Sequence, residues 1–160
     1  MERNEVLVDE KVREFLLEDI GFCDITTDSL ISEGLQTEAM ILCNEDAIVA
    51  GLEEASKVFI TLGCIVKLLK EDGASVKAGT PVMQISGSGK AILKGERTAL
   101  NILMRMTGIA TATQKALAEV RKVNSRVRVA CTRKTAPGLR YFDKKAAELG
   151  GGDTHRFRLD

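Results

Sequence analysis

The apolar residues of this 160-residue chain change their spacing twice, and that alternation limits the folds open to it more than any other feature. Val8, Val12, Phe15 and Leu16 fall at i, i+4, i+7 and i+8 among charged residues, which predicts an amphipathic opening helix ending near Gly21. A polar turn, Asp24-Ile25-Thr26-Thr27-Asp28, leads into two β-compatible runs at 39–43 and 47–50, divided by Asn44-Glu45-Asp46 as a hairpin turn. Leu52, Ala55, Val58, Phe59 and Leu62 then keep helical spacing as far as Gly63. Residues 65–69, 81–86 and 91–93 read as short strands separated by Gly73, Gly79, Gly87 and Gly89. From Gly95 the spacing is helical again, with Leu100, Leu103 and Met104 on one face, an interruption at Thr107-Gly108, and a second stretch through Ile109, Ala116, Leu117 and Val120. Residues 127–131 alternate as a strand. Neither a helical bundle nor an all-β fold has this order; an α+β unit followed by an α/β segment does.

Composition narrows the classes further. A chain with 44% hydrophobic residues buries one good core, or one domain and part of a second. No apolar run is long enough to span a bilayer, and the acidic start Met1-Glu2-Arg3-Asn4-Glu5 lacks the pattern of a secretion signal, so a cytoplasmic location is expected. Cys23, Cys43, Cys64 and Cys131 are widely spaced and His155 is the sole histidine, so no metal ligands are assigned and the thiols are expected reduced and mostly buried. Met83, Met104 and Met106 are read as core fillers, and Asp24, Thr26 and Thr27 as turn and capping groups.

Charge is divided unevenly. Residues 121–160 carry 11 Lys/Arg against 4 Asp/Glu, whereas residues 1–120 carry 12 against 19. Within the basic end, Cys131-Thr132-Arg133-Lys134-Thr135-Ala136-Pro137-Gly138-Leu139-Arg140 is followed by Gly150-Gly151-Gly152-Asp153-Thr154-His155-Arg156. The guanidinium fork of Arg pairs with carboxylate or phosphate through two parallel hydrogen bonds, and Lys adds a compact charge, so Arg133 and Lys134 at the carboxyl end of an expected strand suit an anionic, phosphorylated substrate. The glycine run would let backbone approach a ligand or take positive φ, with His155 and Arg156 directed into the same site.

These segments, together with Asp24-Ile25-Thr26-Thr27, Ala50-Gly51-Leu52, Gly95-Glu96-Arg97-Thr98-Ala99-Leu100-Asn101 and Thr107-Gly108-Ile109-Ala110-Thr111, resemble the quinolinate phosphoribosyltransferase family along almost the whole chain. The resemblance implies a hammerhead-like α+β N-terminal sandwich over 1–106. It implies over 107–160 the beginning of an α/β barrel of the type II phosphoribosyltransferase kind. It also implies a magnesium-dependent transfer from phosphoribosyl pyrophosphate to quinolinate, giving nicotinate mononucleotide, carbon dioxide and pyrophosphate in NAD biosynthesis. Lys134 and His155 match catalytic positions. Arg133, Lys134, His155, Arg156 and Lys144 match substrate-binding positions, and Arg97 matches an arginine that enters the neighbouring subunit's site in a homodimer or higher homo-oligomer. The acidic residues for magnesium would lie beyond Asp160, so the 160-residue chain is expected to be a truncated form, inactive alone. Asp143 stands where the family commonly has Glu, and Arg158 where a small residue is frequent.

Two other readings are weaker. Residues 73–82 are similar to half of a biotinyl or lipoyl carrier domain, but Lys90 lacks the hairpin-tip setting of a carrier lysine. A phosphoribosyltransferase-like paralogue with a different substrate would keep the fold. A nucleic-acid partner is not expected, because the cations are tied to glycine turns and only Tyr141, Phe142 and Phe157 lie among them.

Overall fold

A computed structural model describes residues 5–159. Helix α1, Glu5–Ile20, forms where the four-residue spacing predicts it and buries Val8, Val12 and Leu16. The segment expected as a polar turn is instead a short helix, α2, Ile25–Leu30. Asp24 caps it, its carboxylate accepting the Thr27 N–H at 3.0 Å. Hydrogen bonding from the Thr27 side chain first, and then from its N–H, holds the Asp24 carboxyl below its ordinary pKa.

Strand β1, Gln36–Cys43, and strand β2, Ala47–Ile48, do not form the hairpin that the intervening turn residues suggest. After β2 come helix α3, Leu52–Thr61, and strands β3, Ile65–Leu68, β4, Ser75–Val76, and β5, Thr80–Ser88. The larger sheet has the order β1-β5-β3, with β5 and β3 antiparallel and Val66 opposite Ile85. β2 pairs antiparallel with β4, Ala47 opposite Val76. Asp46 explains the diversion. It accepts from Lys77 Nζ at 2.6 Å and from the Ala78 N–H at 3.1 Å, so the turn is fastened to the end of β4 rather than closed on β1.

Residues 91–93, expected as a strand, lie in helix α4, Gly89–Val123. A run of three apolar residues has no period of its own, and the positions that follow decide it: Ile92, Ala99, Ile102, Leu103, Met106, Ala110 and Leu117 are buried at helical spacing. The expected interruption at Thr107-Gly108 is absent. Thr107 is kept helical while its hydroxyl bonds both the N–H and the carbonyl of Ala50. Met104 is 58% exposed and is no core filler, unlike Met83 and Met106. Lys90, on the first turn of α4, is ion-paired with Glu33, which is not a carrier lysine's setting.

The described residues cluster into two units. One takes the chain up to Leu42 with Leu52–Lys70 and Pro81–Ile102, and the other takes Cys43–Gly51, Glu71–Thr80 and the chain from Leu103. The first is built on the three-stranded sheet, and its buried set includes Val12, Val58, Phe59, Met83 and Ile85. The second contains β2, β4, the later part of α4 and helix α5, Arg140–Leu149, which buries Phe142, Ala146 and Ala147. Cys64 alone among the four thiols is buried, and burial pushes its pKa up; Cys23 is exposed and Cys43 and Cys131 are intermediate, so the expectation of mostly buried thiols does not hold.

Candidate functional site

Residues 127–131 do not extend into a ladder. Their one pairing is a parallel bridge between Ala130 and Asp153, closed by Cys131 N–H to the Asp153 carbonyl at 2.9 Å and Asp153 N–H to the Val129 carbonyl at 2.8 Å. A strand needs a partner of comparable length, and the segment running beside this one turns away after Thr154, where His155 takes a left-handed φ of 50°. The bridge nevertheless sets a register. Leaving it in the same direction, one segment delivers Thr132, Arg133 and Lys134, and the other delivers Thr154, His155 and Arg156.

Each segment is fixed locally. The Lys134 N–H donates to the Thr132 hydroxyl at 3.0 Å and the Thr135 N–H to the Arg133 carbonyl at 2.9 Å, a tight loop that leaves Lys134 exposed and Arg133 half-buried. The His155 N–H donates to the Asp153 carboxylate at 2.9 Å, which, ahead of the charges of Arg128, His155 and Lys144, holds that carboxyl below its ordinary pKa. Asp153 also pairs with Arg128. No carboxylate among the described residues forms an ion pair with Arg133, Lys134 or Arg156. These cations therefore remain open to an anionic ligand.

Of the glycines beside the site, one takes the positive φ that was expected and two allow close packing within the protein. A Cβ on Gly150 would stand 2.3 Å from the Ala110 carbonyl oxygen, and one on Gly152 would stand 2.9 Å from both the Ala147 oxygen and Thr113 Cγ2. The close approach at Gly150 and Gly152 is to α4 and α5. Gly151, with φ of 86°, supplies the left-handed residue of the turn.

Lys144, expected as a substrate-binding lysine, is fully buried. Its amino group donates to the Thr154 carbonyl, lies 3.7 Å from Cys131 Sγ and stands 5.0 Å over the Phe157 ring. Arg97 is exposed on α4 and belongs to the other of the two units. Arg158 is also exposed.

Sequence reasoning missed the groups that hold the loops. Asp143 accepts from Arg105 through both oxygens, Nε at 2.7 Å and Nη2 at 2.9 Å, and from the Ala136 N–H at 3.3 Å. The paired bonds raise the Arg105 pKa above its ordinary value. Arg140 donates to the Thr135 hydroxyl at 3.2 Å and to the Phe157 carbonyl at 3.1 Å. The available signal was the i, i+3, i+4 spacing of Arg140, Asp143 and Lys144 on α5.

Comparison with known proteins agrees in sequence and in fold. Residues 24–107 match the N-terminal domain of quinolinate phosphoribosyl transferase and residues 109–160 match its C-terminal domain. The chain is 45% identical over 149 residues to a probable nicotinate-nucleotide pyrophosphorylase (carboxylating) of Methanothermobacter thermautotrophicus, covering 93% of this chain and 53% of that one. It is 37% identical over 159 residues to the protein of the same description from Bacillus subtilis, covering 98% and 54%. The crystal structure of NadC from Streptococcus pyogenes superimposes with a TM-score of 0.93 at 32% identity, over 100% of this chain and 57% of that one. The chain thus spans about half the length of the relatives it matches. Both halves of the sequence, the fold and the ordered pair of cationic loops lead to one assignment: the chain belongs to the quinolinate phosphoribosyl transferase family.

Proposed function

We infer that this chain serves the transfer of a phosphoribosyl group from phosphoribosyl pyrophosphate to quinolinate, with decarboxylation to nicotinate mononucleotide, carbon dioxide and pyrophosphate. The observation that carries this reading is the parallel bridge Ala130–Asp153, which sends Thr132-Arg133-Lys134 and Thr154-His155-Arg156 out side by side, with Arg133, Lys134 and Arg156 unpaired by any carboxylate among the described residues. Both reactants are polyanions, and such a pair of loops can receive carboxylate on one side and phosphate on the other.

The chemistry follows from charge. As pyrophosphate leaves, the anomeric carbon becomes electron-poor, and cations fixed beforehand stabilise the departing oxygens while the pyridine nitrogen is held in line. Arg133 and Arg156 present forks for the quinolinate carboxylates and the phosphates. Lys134 and His155 act at the reacting groups. Once the ring nitrogen is quaternised, the bond to the carboxylate beside it breaks, carbon dioxide leaves, and the electron pair stays on that ring carbon, stabilised by the adjacent positive nitrogen, until the carbon takes a proton from water. Arginine orients that acid without giving it a proton. Magnesium belongs to the proposed reaction, but no group of three His, Cys, Asp or Glu among the described residues is placed to hold a metal ion, so these residues do not form its site. Arg97 is exposed, and we assign it to the site of a second copy of the chain.

Mapping a quinolinate titration on the backbone amides tests the site. The amides of Thr132 to Lys134 and of Thr154 to Arg156 should shift together at the lowest concentrations; shifts spread over other segments, or none, would contradict the assignment. The role of Arg97 has a separate test. Quinolinate affinity should rise as chain concentration rises, and Arg97→Ala should abolish that rise; an affinity independent of concentration would remove Arg97 from any shared site.

A further inference from the structure

We propose that Arg140 is a positioning residue that locks the two cation-bearing loops to each other, making the anion site a preassembled pair rather than two independent loops. The proposal rests on the quinolinate reading above and assigns a residue within that same site. Its guanidinium reaches both loops from one place: one nitrogen bonds the Thr135 hydroxyl at 3.2 Å, two residues after Arg133, and another bonds the Phe157 carbonyl at 3.1 Å, one residue after Arg156. Beyond the Ala130–Asp153 bridge and its flanking bonds, the backbones of the two loops have no further pairing among the described residues, so side chains must hold them.

The neighbouring positions on α5 complete the arrangement. Asp143, three residues on, accepts the Ala136 N–H at 3.3 Å and is itself held by the Arg105 fork. Lys144, four residues on, donates to the Thr154 carbonyl from a fully buried position. Residues at i, i+3 and i+4 share one helix face, so a single rigid element grips the first loop at Thr135 and Ala136 and the second at Thr154 and Phe157. Two of the three reach both segments: the Lys144 amino group bonds Cys131 Sγ at 3.7 Å and the Thr154 carbonyl beside the bridge, and Arg140 bonds Thr135 and Phe157 farther out, past the cations. A planar fork makes two directed bonds at once, which a lysine ammonium on a flexible stem does not reproduce with the same geometry. Fixing the loops before the ligand arrives removes an ordering cost from binding.

The test is a double-mutant cycle between Arg140 and Thr135, read by quinolinate affinity in calorimetry. Arg140→Gln should weaken quinolinate binding about tenfold, and Thr135→Val several-fold. The double variant should be no weaker than Arg140→Gln alone, because both remove the same link, and Thr135→Ser should restore affinity by returning the hydroxyl. Fully multiplied losses would mean that Arg140 acts on the ligand directly and would overturn the positioning role, as would Arg140→Gln binding within twofold of the parent. A second measurement needs no ligand. Heteronuclear amide relaxation of Arg140→Gln should show Lys134, Thr135, His155 and Arg156 all more mobile while α1 is unchanged; loosening of one loop alone, or of neither, would overturn the proposal. If the parent chain binds no quinolinate, the functional reading fails and the relaxation measurement still decides the role of Arg140.

Discussion

Two regions of this molecule are held by different means. Residues 65–68 and 83–86 are set by a backbone ladder: Val66 stands opposite Ile85, Leu68 opposite Met83, and Met83 and Ile85 are buried. Residues 129–135 and 153–157 have one bridge between them and owe their geometry to Arg140, Asp143 and Lys144. Apolar burial tolerates imprecision in any one contact, because its free energy is a sum over area. A site for a charged ligand does not, since directed bonds to a carboxylate fail within an ångström of displacement. The contrast teaches that the sheet supplies stability, while helix α5 supplies position.

Breaking the first region should cost most. Phe59→Ala removes a ring that is 2% exposed and should lower unfolding free energy by about 3–5 kcal/mol in a denaturant titration. A change under about 1 kcal/mol would mean that the sheet unit is not the stable one. Gly150→Ala comes next. Its new methyl would meet the Ala110 carbonyl oxygen at 2.3 Å, backbone against side chain, and the relief of that clash should cost about 1–3 kcal/mol. A neutral result would show that α5 can shift away from α4 freely.

Asp143→Asn sharpens the comparison, because it keeps shape and removes charge. The Asp143 side chain is 10% exposed and Arg105 is 40% exposed, so solvent screens much of the pair and the stability loss should be about 1 kcal/mol. Quinolinate affinity should fall by a larger proportion than that stability change suggests. Asp143→Glu, which keeps the charge, should retain both; equal losses in the two variants would contradict a role for the charge.

The smallest expected effect depends on pH. Asp24 has a carboxyl held below its ordinary pKa by the Thr27 bonds, so its cap is complete above the unfolded Asp value of about 3.9 and is lost as pH falls through the depressed folded value. Helix α2 should therefore fray in acid at a pH below that of an exposed carboxylate's titration. Asp24→Asn should remove that step from the pH dependence of the Thr27 amide shift, and persistence of the step would assign it to another group.

Much of this architecture is legible in the residues. The spacing of Val8, Val12 and Leu16 specifies α1 because a single face must be buried, and Ile65 to Leu68 and the run after Thr80 specify strands. The hairpin at 44–46 was misread because turn residues state that the chain reverses, not which strand it meets; Lys77 and the Ala78 N–H, distant in sequence, make that choice through Asp46. The run at 91–93 was misread because three apolar residues fit either period, and only the long buried face of α4 resolves them. In the candidate site, Arg133, Lys134, His155 and Arg156 were visible by type and order. Their holders were not, because Arg105, Arg140, Asp143 and the burial of Lys144 become meaningful only once α5 is folded over both loops.

The central claim is that the paired loops form a site for a dicarboxylate. Calorimetric titration of the chain with quinolinate and with nicotinate, repeated for Arg133→Ala, tests it most directly. The account predicts that quinolinate binds about tenfold or more tighter than nicotinate, because the second carboxylate gains a charge-assisted partner, and that Arg133→Ala erases most of that preference. Equal binding of the two acids, or a preference that survives Arg133→Ala within twofold, would contradict it.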